Sequence, residues 1–540
     1  MPRPRRHHHH RLSLSLSLPL LAAQASAMFY YPNAQVSQLE HILVDNGGAY
    51  ASNFSSAVTP CTRYVTEIGA AADNSGRTTS AQWLRVLFHD FVTADVAAGT
   101  GGVDASIGFE TLRDENKGSA FNDSFTFWRP FVNEFVPMAD LVALGAVMSV
   151  SLCGGRNIPF RPGRVDALGA GPTGVPEPGT SLEETLGQFA RSGFNQTDAI
   201  ALTACGHTLG SAHHSGFPEV SDNSTVSAHN TNGGIDFDAT RGSFDAAVVR
   251  EYVDGTGGLG GPLVTSFNET SRSDLRLYES DGNATMRALY ARGEAGFLDA
   301  CVGLLGRVLD TVPAGVALRD VVRPMAVKPV NVTWDVGADG ELALSGRIRI
   351  LTQAPHPKPS SATISFSNGH STPLILEPLT GHSVHGTTYY GSFTALHTSI
   401  SNATSFRVLT AQIPPSTAPS SSSFAIQSTY AILPSQTTFS PSSSTINLTI
   451  AVRAGAATTD LSAHITAPVA QPLTLGPGLR AAEVELEKGG EGEEAGPSGY
   501  ALWRGSVDLE EAPTGAVSVR LVRGGETLDT LLLDAGVAGW

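Results

Sequence analysis

The sequence predicts a mainly α-helical region to about residue 325, followed by a β-rich region, built as a β-sandwich, over 326–540. Two patterns carry this reading. Leu84, Leu87, Phe88 and Phe91 recur at i, i+3, i+4, i+7, the spacing of one helix face, and Met138 to Val150 is a nearly unbroken apolar run, as in a buried helix. After Pro324 the period changes: Trp334 to Leu351 alternates apolar and polar residues between Gly-bearing turns, which is strand patterning. At 540 residues the chain also exceeds what one core usually serves.

The first stretch, residues 1–27, has the layout of a secretory signal. Basic, His-rich Pro2 to Arg11 precedes the apolar Leu12 to Ala23 and the small-residue end Ala25-Ser26-Ala27, with cleavage after Ala27. The apolar run is too short and too Ser-rich for a membrane span. Nine Asn-x-Ser/Thr sequons, at Asn53, Asn122, Asn195, Asn223, Asn268, Asn283, Asn331, Asn402 and Asn447, agree with export. The end of the chain lacks the long apolar tail of a lipid-anchor signal, so a secreted, extracellular protein is expected. A net charge of −16, from 50 acids and 34 bases, argues against nucleic acid or an anionic membrane as partner.

Tyr31 to Tyr64 is partly amphipathic and helical in its first half. The next helix begins at a Ser80 cap and carries Arg85 and His89, four apart and therefore on one side. A cation beside an imidazole on an apolar helix is costly unless both face a polar cavity or a ligand. The plain alternative is a packed histidine beside a surface arginine. Asp90, Gly102, Asp104 and Ser106 then offer two carboxylates, a carbonyl and a hydroxyl, the hard oxygen donors calcium prefers. Leu182 to Gly193 reads as a short helix leading into the run that holds His207. The four cysteines, Cys61, Cys153, Cys205 and Cys301, allow three pairings and lie wholly in the first region.

Three of these stretches, in order, resemble the plant-type haem peroxidases over roughly residues 50–325. Arg85-x-x-Phe88-His89-Asp90 resembles their distal helix, Gly101-Gly-Val-Asp-Ala-Ser-Ile107 their calcium loop, and Ala201-Leu-Thr-Ala-Cys-Gly-His207-Thr-Leu-Gly their proximal helix. The resemblance implies a haem-peroxidase fold over residues 28–325, haem b and two calcium ions. His89 would move a proton between the oxygens of hydrogen peroxide, and Arg85 would stabilise the charge that develops. Asn116, reached through Glu110-x5-Asn116, would orient His89. His207 would be the axial iron ligand, with Asp274 of Ser273-Asp274-Leu-Arg-Leu277 accepting its other N–H. Phe237 would lie under the haem. Thr208, Asp238, Thr240, Ser243 (carbonyl) and Asp245 would form the second calcium site, a polar turn being the alternative.

Phe88 stands where intracellular relatives carry tryptophan, so secreted fungal class II and ascomycete-type enzymes are the better match. Gly154 to Asp166 resembles a family turn, with Arg156 replacing a proline, and is assigned to structure and haem-edge packing. The family often ties the ends of this region together, which implies Cys61–Cys301. Cys153–Cys205 is then the remaining pair, with a free thiol at Cys205 as the alternative. No trio of acids suits manganese, and no tryptophan precedes His207 as in lignin-oxidising relatives. The implied partners are hydrogen peroxide and small phenolic or aromatic donors, oxidised by one-electron steps. A non-enzymatic extracellular or cell-wall binding protein on the same scaffold is the second reading, since fold does not fix function.

In the β-rich region, further strands are expected at Thr363–Phe366, Ser405–Ile413, Thr445–Val452, Leu473–Glu487 and Ala516–Val522. Pro355 to Ser361 and Pro414 to Ser423 are breaks, and Gly489 to Gly496 is a solvated loop. No motif there carries chemistry, and a cell-wall polysaccharide is the partner class kept for it.

Overall fold

The computed structural model describes residues 30–71, 76–353, 358–410, 423–489 and 496–536. The expected signal at 1–27, most of the break at 414–423 and most of the loop at 489–496 lie outside these residues. Helices dominate up to Leu309, strands from Val327 onward.

The helix Ala34–Val44 starts where the Asn33 side chain accepts from Val36 N. The distal helix runs Thr79–Val92 from an N-cap at Thr78. It thus begins earlier than the expected Ser80 cap, because Ser80 is already turned inward and buried. Met138–Leu152 is buried along nearly its whole length, as its apolar run requires. The distal helix packs on it where Gly145 leaves room. A Cβ there would lie 2.7 Å from the Trp128 ring and 3.2 Å from that of Trp83. Leu182–Arg191 and the proximal helix Gln196–Gly206 both open with capping boxes, Ser181/Glu184 and Asn195/Asp198.

The turn from Gly154 to Asp166 is structural. Asp166 accepts from Met138 N and Ala139 N, capping the buried helix. Arg164 pairs with Asp140 at 2.9 Å, both side chains fully buried. No residue of this turn is among those that line the cavity described below.

The disulfides correct the expected pairing of Cys61–Cys301 and Cys153–Cys205. The bonds are Cys61–Cys153 and Cys205–Cys301, each with Cα atoms 5.6 Å apart. Cys153 caps the buried helix, and Cys61 packs on that same helix end, its sulfur 3.5 Å from Leu152 O. Cys205 lies on the proximal helix, which packs on Gly293–Leu309, where Cys301 sits.

The β-rich region holds two cores. An eight-stranded antiparallel sheet runs, in order, Phe424–Ala425, Ser405–Thr410, Ala362–Phe366, Ser371–Ser383, Gly386–Leu396, Leu342–Thr352 and Val327–Val336. Its eighth strand, Gly47–Gly48, comes from the helical region and pairs with Ser371–Ser383. The second core lies between a five-stranded sheet centred on Thr445–Arg453 and Tyr500–Asp508 and a four-stranded sheet centred on Leu461–Val469 and Val517–Arg523. That is a sandwich, as expected. The strand expected from Leu473 begins only at Gly478, and residues 470–477 form a loop.

Helical and β-rich regions are tied by a buried ionic cluster. Arg349, fully buried, reaches Glu40 and Asp45, the latter at 3.0 Å. Lys328 Nζ lies 2.8 Å from Glu40, and the Tyr390 hydroxyl donates to Asp45. Burial alone would raise the Asp45 pKa, but His41 and Arg349 outweigh it and hold it near 2. Tyr31 also belongs to the β-rich core, packed between Phe406 and Phe424.

Candidate functional site

A cavity of about 410 Å³ is lined by Leu84, Arg85, Phe88 and His89 of the distal helix and by Leu202, His207, Phe237 and Asp274 on the proximal side. Residues more than a hundred positions apart therefore face one space, of a size typical for a ligand site.

On the distal side, His89 Nδ1 is 2.7 Å from Asn116 Oδ1, and Asn116 Nδ2 donates to the Glu110 carbonyl at 3.0 Å. An amide oxygen only accepts, so Nδ1 carries the proton. Nε2 then accepts from Arg85 Nε at 3.3 Å. Burial, with the nearby Arg85 charge, pushes the His89 pKa down to about 3 despite the Asn116 bond. Burial also lowers Arg85, to about 10. The Phe121 ring supports both, 5.0 Å from His89 and 4.9 Å from the Arg85 guanidinium. Phe88 packs on Phe189.

The first oxygen-rich loop is assembled. Asp90 accepts from the N–H groups of Asp104, Ala105 and Ile107, and Ser106 N donates to Asp104 Oδ1. Gly102 sits at φ 108, its Cα hydrogen facing the Thr311 carbonyl, where a Cβ would clash at 2.6 Å. Burial, then the neighbouring Asp104, pushes Asp90 well above the usual carboxylate range, and burial raises Asp104 too. Two carboxylates buried side by side call for a cation or a proton between them.

On the proximal side, His207 follows its helix as the C-cap, and its Nδ1 is 2.6 Å from Asp274 Oδ2. The ring stacks on Phe237 at 4.2 Å between centroids. In the second loop, Thr208 Oγ1 donates to Asp238 and lies 2.8 Å from Asp245 O, while Thr240 Oγ1 bridges Asp238 and Asp245. Ser243 closes the turn through its N–H to the Thr240 carbonyl. Burial raises Asp238 to about 6, against the hydrogen bonds from Thr240. Each loop brings two carboxylates. Among the described residues no group of three or more His, Cys, Asp or Glu gathers as a metal site.

Haem fits the residues present. The imidazole of His207 is held through Nδ1, which leaves Nε2 for a metal. Leu87, Leu209, Leu277, Leu305 and Val308 give the cavity apolar walls. Among the cavity-lining residues, Thr78 Oγ1, Gln82 Oε1, Glu115 Oε1 and His213 Nε2 are buried without a hydrogen-bond partner, as expected beside a site that takes a polar group. Arg77 lines the same edge. Burial, then the charges of Arg77, Arg241 and Arg85, lowers His213 to about 4. The sequence assigned no role to His213, Arg77, Gln82 or Phe121. None of these sits in a recognisable local motif.

Residues 65–293 match the family model described as Peroxidase. The chain is 37% identical over 324 residues to a WSC domain-containing protein of Arthroderma benhamiae, covering 59% of this chain and 43% of that protein. It is 38% identical over 141 residues to the peroxisomal L-ascorbate peroxidase 5 of Arabidopsis thaliana (26% and 50% covered). The mitochondrial cytochrome c peroxidase of Neurospora crassa is 32% identical over 142 residues (25% and 39%). The chain spans about half the length of the curated relatives it matches. Among the described residues no helix is long and apolar enough to cross a membrane.

Proposed function

We propose, from the membership of residues 65–293 in the plant-type haem peroxidase superfamily, that this chain is a secreted peroxidase. It would reduce hydrogen peroxide to water and oxidise small phenolic or aromatic donors one electron at a time. The observation that carries the proposal is the pair of oriented imidazoles on one cavity, His89 on Asn116 and His207 on Asp274.

Haem b, held by His207, supplies the two-electron redox chemistry toward peroxide when bound. His89, neutral and with Nε2 toward the cavity, would take a proton from one oxygen of hydrogen peroxide and return it to the other, which leaves as water. Arg85 Nε releases His89 Nε2 as peroxide enters and turns its charge toward the departing oxygen. Asn116 keeps the proton on Nδ1 throughout. Asp274 accepts from His207 Nδ1–H, making that ligand a stronger electron donor. Asp90, Gly102, Asp104 and Ser106 in the first loop, and Thr208, Asp238, Thr240, Ser243 and Asp245 in the second, would each hold a calcium ion, a reading supported by the raised carboxylates in each.

Phe88 and Phe237, where intracellular peroxidases carry tryptophan, support the secreted branch, as does the placement of all nine sequons at sites that are not buried. We keep residues 28–325 as the peroxidase domain and 326–540 as a separate functional region, with cell-wall polysaccharide as its partner class. A pull-down on insoluble wall glucan and chitin tests that last point. Against a non-enzymatic scaffold stands the complete set Arg85, His89, Asn116, His207 and Asp274, since a binding protein has no need to keep all five together.

The deciding experiment is the ultraviolet-visible spectrum of the purified protein before and after one equivalent of hydrogen peroxide, followed by addition of a phenol. A Soret band that shifts with peroxide and returns with phenol is expected. A chain that takes up no haem, or whose haem is inert to peroxide, would overturn the proposal.

A further inference from the structure

The β-sandwich touches, at two places, elements of the helical region that carry or adjoin the distal residues of the cavity. In the loop 470–477, Leu475 N donates to Gly108 O at 3.0 Å, and the Leu475 side chain packs onto the core of the helical region. Gly108 is where such an approach is sterically allowed: a Cβ there would lie 2.8 Å from the Phe125 ring and 3.0 Å from Thr474 Oγ1. At the second place, Ser518 Oγ donates to Glu134 at 2.5 Å, and Arg520 lies 2.8 Å from the other oxygen of the same carboxylate. Gly515 is seated against the Pro130 and Val132 carbonyls, where a Cβ would lie within 2.8 Å of both.

Both contacts fall on elements that hold the distal residues. Gly108 belongs to the turn Ser106–Phe109, whose Ile107 N–H donates to Asp90 at 3.1 Å and whose Ile107 carbonyl accepts from Glu110 N at 3.0 Å. The Glu110 carbonyl accepts from Asn116, and Asn116 holds His89. Glu134 and Pro130 follow the helix Ala120–Trp128, whose Phe121 supports His89 and Arg85.

We propose that the β-sandwich is a positioning element for the distal half of the cavity, with Leu475 its principal positioning residue. Its N–H and its packed side chain together pin the turn Ser106–Phe109, which fixes Glu110, then Asn116, then the ring of His89. This gives residues of the 326–540 region a role in the chemistry they do not touch. For its catalytic consequence it rests on the proposed role of His89. For its geometry it does not.

Hydrogen–deuterium exchange of the full chain, without added haem, tests the geometry. Leu475→Pro removes the N–H donor, Leu475→Ala keeps it and removes the side chain, and Leu475→Met restores the packing. Exchange in peptides covering 104–117 should rise at least tenfold in Leu475→Pro and less in Leu475→Ala, and should return to normal in Leu475→Met. Peptides from the proximal helix 196–206 and the strand 461–469 should not change. Unchanged exchange over 104–117 in Leu475→Pro overturns the proposal. If that variant exchanges everywhere because it misfolds, Leu475→Ala decides: a rise confined to 104–117 supports the proposal and none overturns it. In the haem-loaded protein, Leu475→Ala should slow the reaction with peroxide at least tenfold and leave the KM for a phenol unchanged, and Leu475→Met should restore the rate. A wild-type chain inert to peroxide would sink the peroxidase reading while leaving the exchange result standing.

Discussion

His89 and Asn116 meet through Nδ1 and Oδ1 at 2.7 Å, deep enough that the pair is shut off from bulk water. Because the acceptor is an amide and not a carboxylate, it orients the ring without adding negative charge to raise its basicity. With burial and Arg85 both opposing protonation, the His89 pKa lies at about 3.

The rate of reaction with peroxide should therefore be flat from about pH 5 upward and fall only as pH drops toward 3, where His89 gains a proton and stops accepting one. Stopped-flow measurements across that range check this, and an acid limb centred near 6.5 would contradict it. Asn116→Asp places a charge beside the ring and should move the limb upward by a unit or more. His89→Ala should slow the step by roughly 10²–10⁴-fold.

His207 and Asp274 give a second expectation. His207→Ala should abolish haem retention, read as loss of the Soret band after gel filtration. Asp274→Asn keeps the size of the partner but not its charge, and should cost about 10–100-fold in haem affinity or activity. A His207→Ala protein with a normal Soret band would remove His207 from its place on the iron.

Calcium and protons compete for the same raised carboxylates. Asp238, at about 6 without metal, is mostly ionised above that pH and mostly protonated below it. Apparent calcium affinity at the second loop should therefore be constant above about pH 6 and fall about tenfold per pH unit beneath it. Titration calorimetry of chelator-treated protein measures this directly. Chelation should also lower the thermal midpoint, because Asp90 and Asp104 are left facing each other. No binding at pH 7.5 would leave both loops as plain turns.

The junction between helical and β-rich regions should be fragile to a single change. Arg349→Met leaves Glu40 and Asp45 buried with Lys328 as their one remaining buried cation. Removing one partner of a buried ion pair costs about 3–5 kcal/mol. Urea denaturation should register that loss. Adding Glu40→Gln to the variant should recover part of it.

What the sequence disclosed was local. Arg85 and His89 are one turn apart on one helix, Glu110 and Asn116 flank one short loop, and Asp238 to Asp245 are one turn. The structure keeps each of these sets together. What stayed hidden depends on distant partners. Nothing near Cys61 shows that it ends beside Cys153, because that is set by how the segment before the distal helix lies on the buried one. The strand Ser371–Ser383 carries Pro373 and Pro378, residues that count against a strand in sequence patterning, and it was not among the expected strands. Pro378 sits where the ladder with Gly386–Leu396 shifts register, a place where a strand tolerates proline. Glu40 and Arg349, 309 positions apart, carry no local sign that they pair.

The seating of Tyr30 and Tyr31 in the β-rich region bears on how the chain is made. Tyr31 donates to Ala425 O across 394 residues, and the Tyr30 hydroxyl accepts from Leu532 N across 502. A ribosome adds about 5–20 residues per second, so roughly 25–100 s separate the emergence of Tyr30 from that of its partner. Through that interval Tyr30 and Tyr31 are an aromatic pair with no place to be buried. The helical region can gather its own core meanwhile, but the strand Gly47–Gly48 and the acids Glu40 and Asp45 wait with their partners still unmade. Burial of Tyr30 and Tyr31 thus waits until synthesis has passed Ala425 and Leu532, and the waiting segment is the part a chaperone would meet.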